Sequence, residues 1–362
     1  MENTSESSVA AKDVAQRPAP PDTLGSHYST HDEHVTKHFG FFHPTQAYFF
    51  PPGHKHTKGD TPAPGEAAQW NSRASRKNRF NSDAIHVRHH HTGEAESASE
   101  LGFVVLGSGH FRAWVFCMVN GFVLFLPLVD IGGDHASAAS WWAFVGGTLF
   151  EIGSYLMLVE SLNTGHDQLF GPALWGIVSR ASLNPSSSDE TLTPEKGTPK
   201  FRWIGWGSPR DLGYLACTIQ MFAASIFWVS TITGIPGVIP NLPTTPPTAI
   251  SDVFFWTPQV IGGIGFIVSS VLLMLEVQKK WWLPNLTSIG WHIAFWNVLG
   301  AFGFTLCGAL GYGSVASTKV DYQSVLSTFW GSFGFEIGSV IQLWETLWRE
   351  DPDAGEDSGK PT

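Results

Sequence analysis

Apolar residues along this chain gather into six stretches, each about as long as the twenty-residue helix that crosses bilayer hydrocarbon. They run approximately 111–130, 141–162, 211–234, 254–277, 289–312 and 326–347. Leu101 to Leu106 is apolar too, but too short to be a seventh. Ahead of them, residues 1 to about 100 are rich in Ser, Thr, Pro and His and show no sustained helical or strand period. That composition cannot bury enough apolar surface to fold and reads as disordered. The pattern predicts an all-α membrane protein. A disordered His-rich tail covers 1–105, a six-helix membrane domain 106–349, and an acidic disordered tail 350–362.

The second, fourth and sixth stretches share a motif. Gly146-Gly147-Thr148-Leu149-Phe150-Glu151-Ile152-Gly153-Ser154 closes on Glu160; the copy from Gly262 to Ser270 closes on Glu276, and that from Gly331 to Ser339 on Glu345. Matched spacing three times over marks an internal repeat. Residues seven apart fall nearly in line on a helix, so Gly146, Gly153 and Glu160 form a stripe, matched by Gly262, Ser269, Glu276 and by Gly331, Gly338, Glu345. A second stripe, Gly147, Glu151 and Ser154, recurs as Ser332, Glu336 and Ser339. Small residues so spaced let membrane helices approach closely, because lipid gives apolar side chains no reason to leave it. The remaining stretches repeat more faintly: Trp114, Cys117 and Asn120 align with Tyr214, Cys217 and Gln220, and with Trp291, Ala294 and Asn297. The unit is a two-helix hairpin used three times, over 107–162, 207–277 and 284–347. Units of two crossings share one orientation, so the three fit a pseudo-threefold axis along the membrane normal.

A mean hydropathy near zero averages the polar tail with the membrane region. The net charge of −10 says little about partners, because much of the acid lies in the tails. The distribution of Lys and Arg says more. Of twenty-one, eleven precede or begin the first helix, five lie in 163–210, two follow the fourth helix and two the sixth, leaving Lys319 on the opposite side. By the positive-inside rule both termini and the 163–210 loop are cytoplasmic, with no particular organelle indicated. Trp141, Trp142, Trp256 and Trp330 mark the outer interface; Trp281, Trp282 and Trp348 mark the inner one. No cleaved signal is expected, since the first hundred residues hold no apolar h-region. Cys117, Cys217 and Cys307 each fall inside a predicted helix, which speaks against a disulfide framework. The outer loop 235–253, rich in proline, is expected to be extended. In the middle loop, Leu169 to Val178 suits the interface, and Ser186-Ser187-Ser188, Thr193-Pro194 and Thr198-Pro199 suit phosphorylation, although such a loop is more often only a flexible connector.

Depth arithmetic singles out polar groups inside the membrane. Asn120 and Glu151 are symmetric about the loop between Ile131 and Ser140, each roughly 15 Å from the outer helix ends. Asn297 and Glu336 are nearly symmetric too; Gln220 pairs by the same rule with Ile267. The candidate intramembrane site is therefore Glu151, Glu336, Asn120, Asn297, Gln220, Ser154 and Ser339. One reading has neutral acids joining helices through the amides. The other has them binding or relaying a proton or cation in a central pathway. Glu160, Glu276 and Glu345 lie near the cytoplasmic ends, as interfacial acids.

The tail offers an aromatic island, Phe39 to Phe50, suited to docking on the membrane face or a protein, or left solvated. Eleven of fifteen histidines lie between His27 and His91, including His31, His34 and His38 at helical spacing and the run His89, His90, His91. Imidazole clusters bind zinc or copper, but no cysteine frame accompanies them, so a solvated tail is the expectation and no metal or other cofactor is assigned. There is no His-Glu-x-x-His motif, no Gly-rich phosphate loop and no intramembrane Lys or Arg. An enzyme is not expected, nor a nucleic-acid partner.

Three tandem helix pairs suggest mitochondrial carriers, yet the Pro-x-Asp/Glu-x-x-Lys/Arg signature of that family is missing from all three odd helices. Trp256-Thr257-Pro258-Gln259-Val260-Ile261-Gly262-Gly263 and Gly290-Trp291-His292-Ile293-Ala294-Phe295-Trp296-Asn297 instead resemble a family of uncharacterised fungal multi-pass integral membrane proteins. The cores Phe150 to Ser154 and Phe335 to Ser339 are similar to the bacterial two-helix YrhK-like domain. The resemblance implies a membrane fold and brings no activity with it. Two functions stay open: a transporter or channel-like protein for a proton-coupled or cationic small solute, and a non-transporting scaffold that binds cytoplasmic proteins through its tails and loop.

Overall fold

The computed structural model of the chain describes residues 29–33, 41–43, 45–50, 68–77, 115, 118–132, 135–164, 201–242 and 244–347. They belong to two compact units, one of 1–103 with 159–211, the other of 104–158 with 212–362.

The first unit contains a three-stranded antiparallel sheet of β1 (Ser29–Glu33), β2 (Gln46–Phe50) and β3 (Ala68–Asn71), with β2 in the middle. Ser29 lies opposite Phe50, and Gln46 opposite both Glu33 and Asn71. A sheet here departs from the expectation of a tail without strands. Its strands are far apart along the chain, so no two-residue turn announces a hairpin. The aromatic island supplies Tyr48, Phe49 and Phe50 to the central strand, where such residues fit the pleat. A short helix, α1 (Ser72–Arg76), follows directly, its start tied by Ser72 N–H donating to the Thr45 carbonyl at 2.9 Å. Segment 201–211 joins this unit through backbone and amide contacts. His43 N–H donates to the Arg210 carbonyl at 2.8 Å, and Arg210 Nε to the Phe41 carbonyl at 2.7 Å. Asn163 brackets the backbone of Arg202, donating from Nδ2 to its carbonyl and accepting its N–H at Oδ1, both at 2.8 Å.

In the second unit, α2 (118–125) runs into a 3-10 turn, Leu126–Val129. Then come α3 (Ala136–Leu162, of which the part from Val159 belongs to the first unit), α4 (Leu212–Thr233), α5 (Thr248–Val277), α6 (Ile289–Gly311) and α7 (Thr318–Leu347). Four of these, α3 to α6, are long and apolar enough to cross a membrane. The other two expected spans are helical where described, but α2 is short and α7 is more polar, carrying Lys319, Asp321 and Gln323 before its apolar run. That polar start is why α7 begins at Thr318 rather than near 326.

Packing follows chain order, α4 on α5, α5 on α6 and α6 on α7. Helix α2 lies on α7, where Phe125 stacks on Phe329 with centroids 4.4 Å apart. Small and polar side chains are buried between the helices, around a phenylalanine centre, while much of the outside is apolar. Ser154, Ser269, Ser332 and Gln220 are buried, whereas Phe222, Ile226, Ile261, Ile264, Phe302 and Val340 are exposed. Water would penalise such a surface, and lipid would not. The helical unit thus has the make-up of an integral membrane protein.

The 235–253 loop is turned rather than extended. Gly237 and Asn241 take positive φ, +89° and +57°, conformations that glycine and asparagine accept most readily, and a bridge joins Pro236 to Ile239. After a first α-helical turn, Thr248–Ser251, helix α5 widens into a π turn, Asp252–Trp256. Pro258 explains it: with no N–H to offer the Phe254 carbonyl, the regular ladder breaks. Thr233 Oγ1 on α4 donates to that carbonyl instead, at 2.7 Å.

Candidate functional site

The centre of the helical unit is filled by phenylalanine. Phe150 on α3, Phe266 on α5 and Phe335 on α7 occupy the fifth position of the three motif copies, and all are almost fully buried. Their ring centroids are 5.1, 6.4 and 6.3 Å apart. Phe227 on α4 and Phe304 on α6, each seven residues past the aligned amides Gln220 and Asn297, close the cluster from the other side. Edge-to-face rings at these separations pack tightly and add about 0.5–1.5 kcal/mol per pair beyond their area.

Small residues bring the helices to this distance, and the same positions act in two hairpins. A Cβ on Gly262 or Gly265 would collide with Ala223; one on Gly334 would collide with Gly300, which aligns with Ala223, and one on Gly331 would crowd the Gly300 carbonyl at 3.1 Å. Lower down, Ser269 Oγ donates to the Ala216 carbonyl at 2.9 Å, and a Cβ on the matching Gly338 would lie 3.2 Å from the aligned Ile293 carbonyl. Gly146 and Gly153, their counterparts on α3, are buried.

One residue beyond each phenylalanine, a step of about 100° around the helix carries Glu151 and Glu336 away from the cluster. Glu151 reaches α4, where Ser225 Oγ lies 2.7 Å from its Oε1. The same hydroxyl is 3.1 Å from the Met221 carbonyl. With Glu151 ionised, Ser225 donates to the carboxylate; with Glu151 protonated, Ser225 accepts a hydrogen bond from the acid O–H and donates its own to the Met221 carbonyl. The hydroxyl therefore serves both protonation states without moving. Beside it, Trp228 Nε1 donates to Thr148 Oγ1 at 3.0 Å, pinning the same α3–α4 seam. Glu151 Oε2, Glu336 Oε2 and Ser154 Oγ are buried without a hydrogen-bond partner among the described residues. No family model matches the chain, and no curated protein or solved structure matches it.

The amides stand elsewhere than expected. No hydrogen bond joins Asn120 to Glu151 or Asn297 to Glu336 among the described residues. Asn120 and Gln220 are buried, as is Ser339. Asn297 Oδ1 instead faces Gly338, 2.6 Å from where its Cβ would be. Equal depth is not equal azimuth, so the symmetric positions of a hairpin need not meet. The acids of the stripe ends are deeply placed: Glu276 and Glu345 are buried in the helical unit. Glu160, in the first unit, forms an ion pair with Lys77 at 3.5 Å, the side chains 6% and 13% exposed.

Of the histidines singled out, His31 lies in β1 opposite Tyr48, and His34, His38, His89, His90 and His91 lie outside the described residues. So do Leu169 to Val178 and the Ser/Thr-Pro segment. Among the described residues no three His, Cys, Asp or Glu gather to hold a metal.

Proposed function

We propose that this protein is a six-span membrane transporter or channel-like protein for a proton-coupled or cationic small solute. It is built of three two-helix hairpins about a pseudo-threefold axis, with both termini cytoplasmic. The observation that carries the function is Ser225 between Glu151 and the Met221 carbonyl, an arrangement that tolerates gain and loss of a proton inside an apolar helix pair. The repeated packing of hairpins two and three, and the meeting of Phe150, Phe266 and Phe335, support the threefold architecture. The motif resemblance to fungal multi-pass proteins fits the same proposal. Because the axis is filled with rings, the pathway runs along the seams between hairpins, not down the centre, and Glu151 and Glu336 are its titrating groups.

A second reading, the non-transporting scaffold, is favoured by that same ring cluster, which leaves the axis closed, and by the sheet of the first unit, a ready surface for cytoplasmic proteins. Proton flux into proteoliposomes, driven by a pH step with a small panel of cations, separates the two. Flux in the wild type that disappears in Glu151→Gln, Glu336→Gln, with thermal stability retained, is expected of the transporter. Equal flux in both proteins would remove the acids from the pathway, and none in either would leave the scaffold as the better account.

A further inference from the structure

We propose that the turn joining α5 to α6, Lys279 to Ser288, is a docking surface for the anionic headgroups of the membrane leaflet it meets. The proposal rests on the reading of α5 and α6 as bilayer-spanning helices. Three large apolar side chains stand well out on this short turn: Trp281 is 65% exposed, Trp282 60% and Leu286 64%. Such a cluster on a soluble surface would mark a binding site or an aggregation hazard.

The turn is built, not loose. Asn285 Nδ2 donates to the carbonyl of Val277, the last residue of α5, at 2.9 Å, and Thr287 Oγ1 donates to Asn285 Oδ1 at the same distance. On the α6 side, His292 Nε2 donates to the Leu286 carbonyl at 2.8 Å. A bridge between Lys280 and Leu283 closes the middle. Both ends are thereby fastened to helices, and the indoles are held outward at fixed positions.

Charge names the occupant. Lys279 and Lys280 are exposed, and no Asp or Glu lies between Gln278 and Ile289. Lys280 Nζ sits 5.5 Å from the centre of the Trp282 ring, so ammonium and indole are presented together. Indoles settle at the headgroup level of a bilayer, and lysines beside them attract anionic lipid. The turn ends two membrane-length helices, which puts it at the bilayer surface. Lipid therefore fits better than an acidic soluble protein.

The test uses the full chain in micelles holding phosphatidylserine and phosphatidylcholine in equal amounts, with native mass spectrometry reading the ratio of the two lipids retained. The wild type is expected to favour phosphatidylserine. Lys279→Gln, Lys280→Gln should lower that preference about 30-fold, about fivefold per lysine, and raised salt should lower it in the wild type too. Lys279→Arg, Lys280→Arg should keep it, which also shows that the turn still folds, and Lys319→Gln on α7 should leave it unchanged. A ratio insensitive to the glutamine pair, or equally sensitive to Lys319→Gln, overturns the proposal. Alkaline carbonate extraction of the source membranes tests the spanning itself. Release of the chain overturns the bilayer reading and the docking surface with it, whereas retention with a lysine-insensitive ratio overturns the docking surface alone.

Discussion

Ser225 is the residue on which the chemistry of the α3–α4 seam turns. Replacing it with alanine strips Glu151 Oε1 of its donor at a half-buried position, and the expected cost is about 1 kcal/mol of stability. In a Glu151→Leu background the same change should cost much less, so a double-mutant cycle read by chemical unfolding in micelles should return a clear coupling. No coupling would mean that the two side chains do not hold each other. A different weight rests on Phe266. Phe266→Ala empties the middle of the ring cluster and should cost about 3–5 kcal/mol, more than Phe302→Ala on the exposed face of α6. Thermal unfolding of the two variants side by side checks the order. Glu151 was legible in the sequence because an acid in an apolar helix stands out by itself. Ser225 was not, since rise per residue gives the depth of a group but nothing about which neighbouring helix it faces. The three phenylalanines were legible as a repeated letter and not as a core, because an aromatic in a membrane helix suits lipid as well as protein, as exposed Phe222 and Phe302 demonstrate.

Between elements, the close approaches depend on the absence of side chains. A Cβ at Gly334 would lie 2.7 Å from the Gly300 backbone nitrogen, while one at Gly313 would meet nothing nearer than Val320 at 3.4 Å. Gly334→Ala should therefore destabilise by about 1–3 kcal/mol through a forced separation of α6 and α7, and Gly313→Ala by far less. The glycine spacing was readable in advance because it repeats every seven residues. The start of α5 was not. Pro258 falls within the expected span 254–277, but the π turn ahead of it was not foreseen, and a hydroxyl on another helix serves the carbonyl that the proline cannot. Thr233→Val should leave the Phe254 carbonyl unpaired at a cost of about 1–3 kcal/mol. Pro258→Ala should recover part of that loss by restoring an N–H to the ladder. Melting temperatures of the single and double variants decide whether the two act on one carbonyl.

At the scale of the whole chain, six apolar stretches were visible from hydropathy, but the sheet of the first unit was not. Its strands are short, carry polar residues such as His31, Asp32 and Gln46, and find partners across long connections. A long-range tie within that unit is equally invisible to pattern: Asn163 grips Arg202 across 39 positions by two hydrogen bonds at 2.8 Å. A side-chain amide that mimics a strand partner leaves no periodic trace. These two bonds tie the backbone on either side of the link between Thr164 and Phe201. The polypeptide opened between Ser187 and Ser188 and produced as two separate chains should still come together and be purified as one, and Asn163→Ala should lower the yield of the reunited pair.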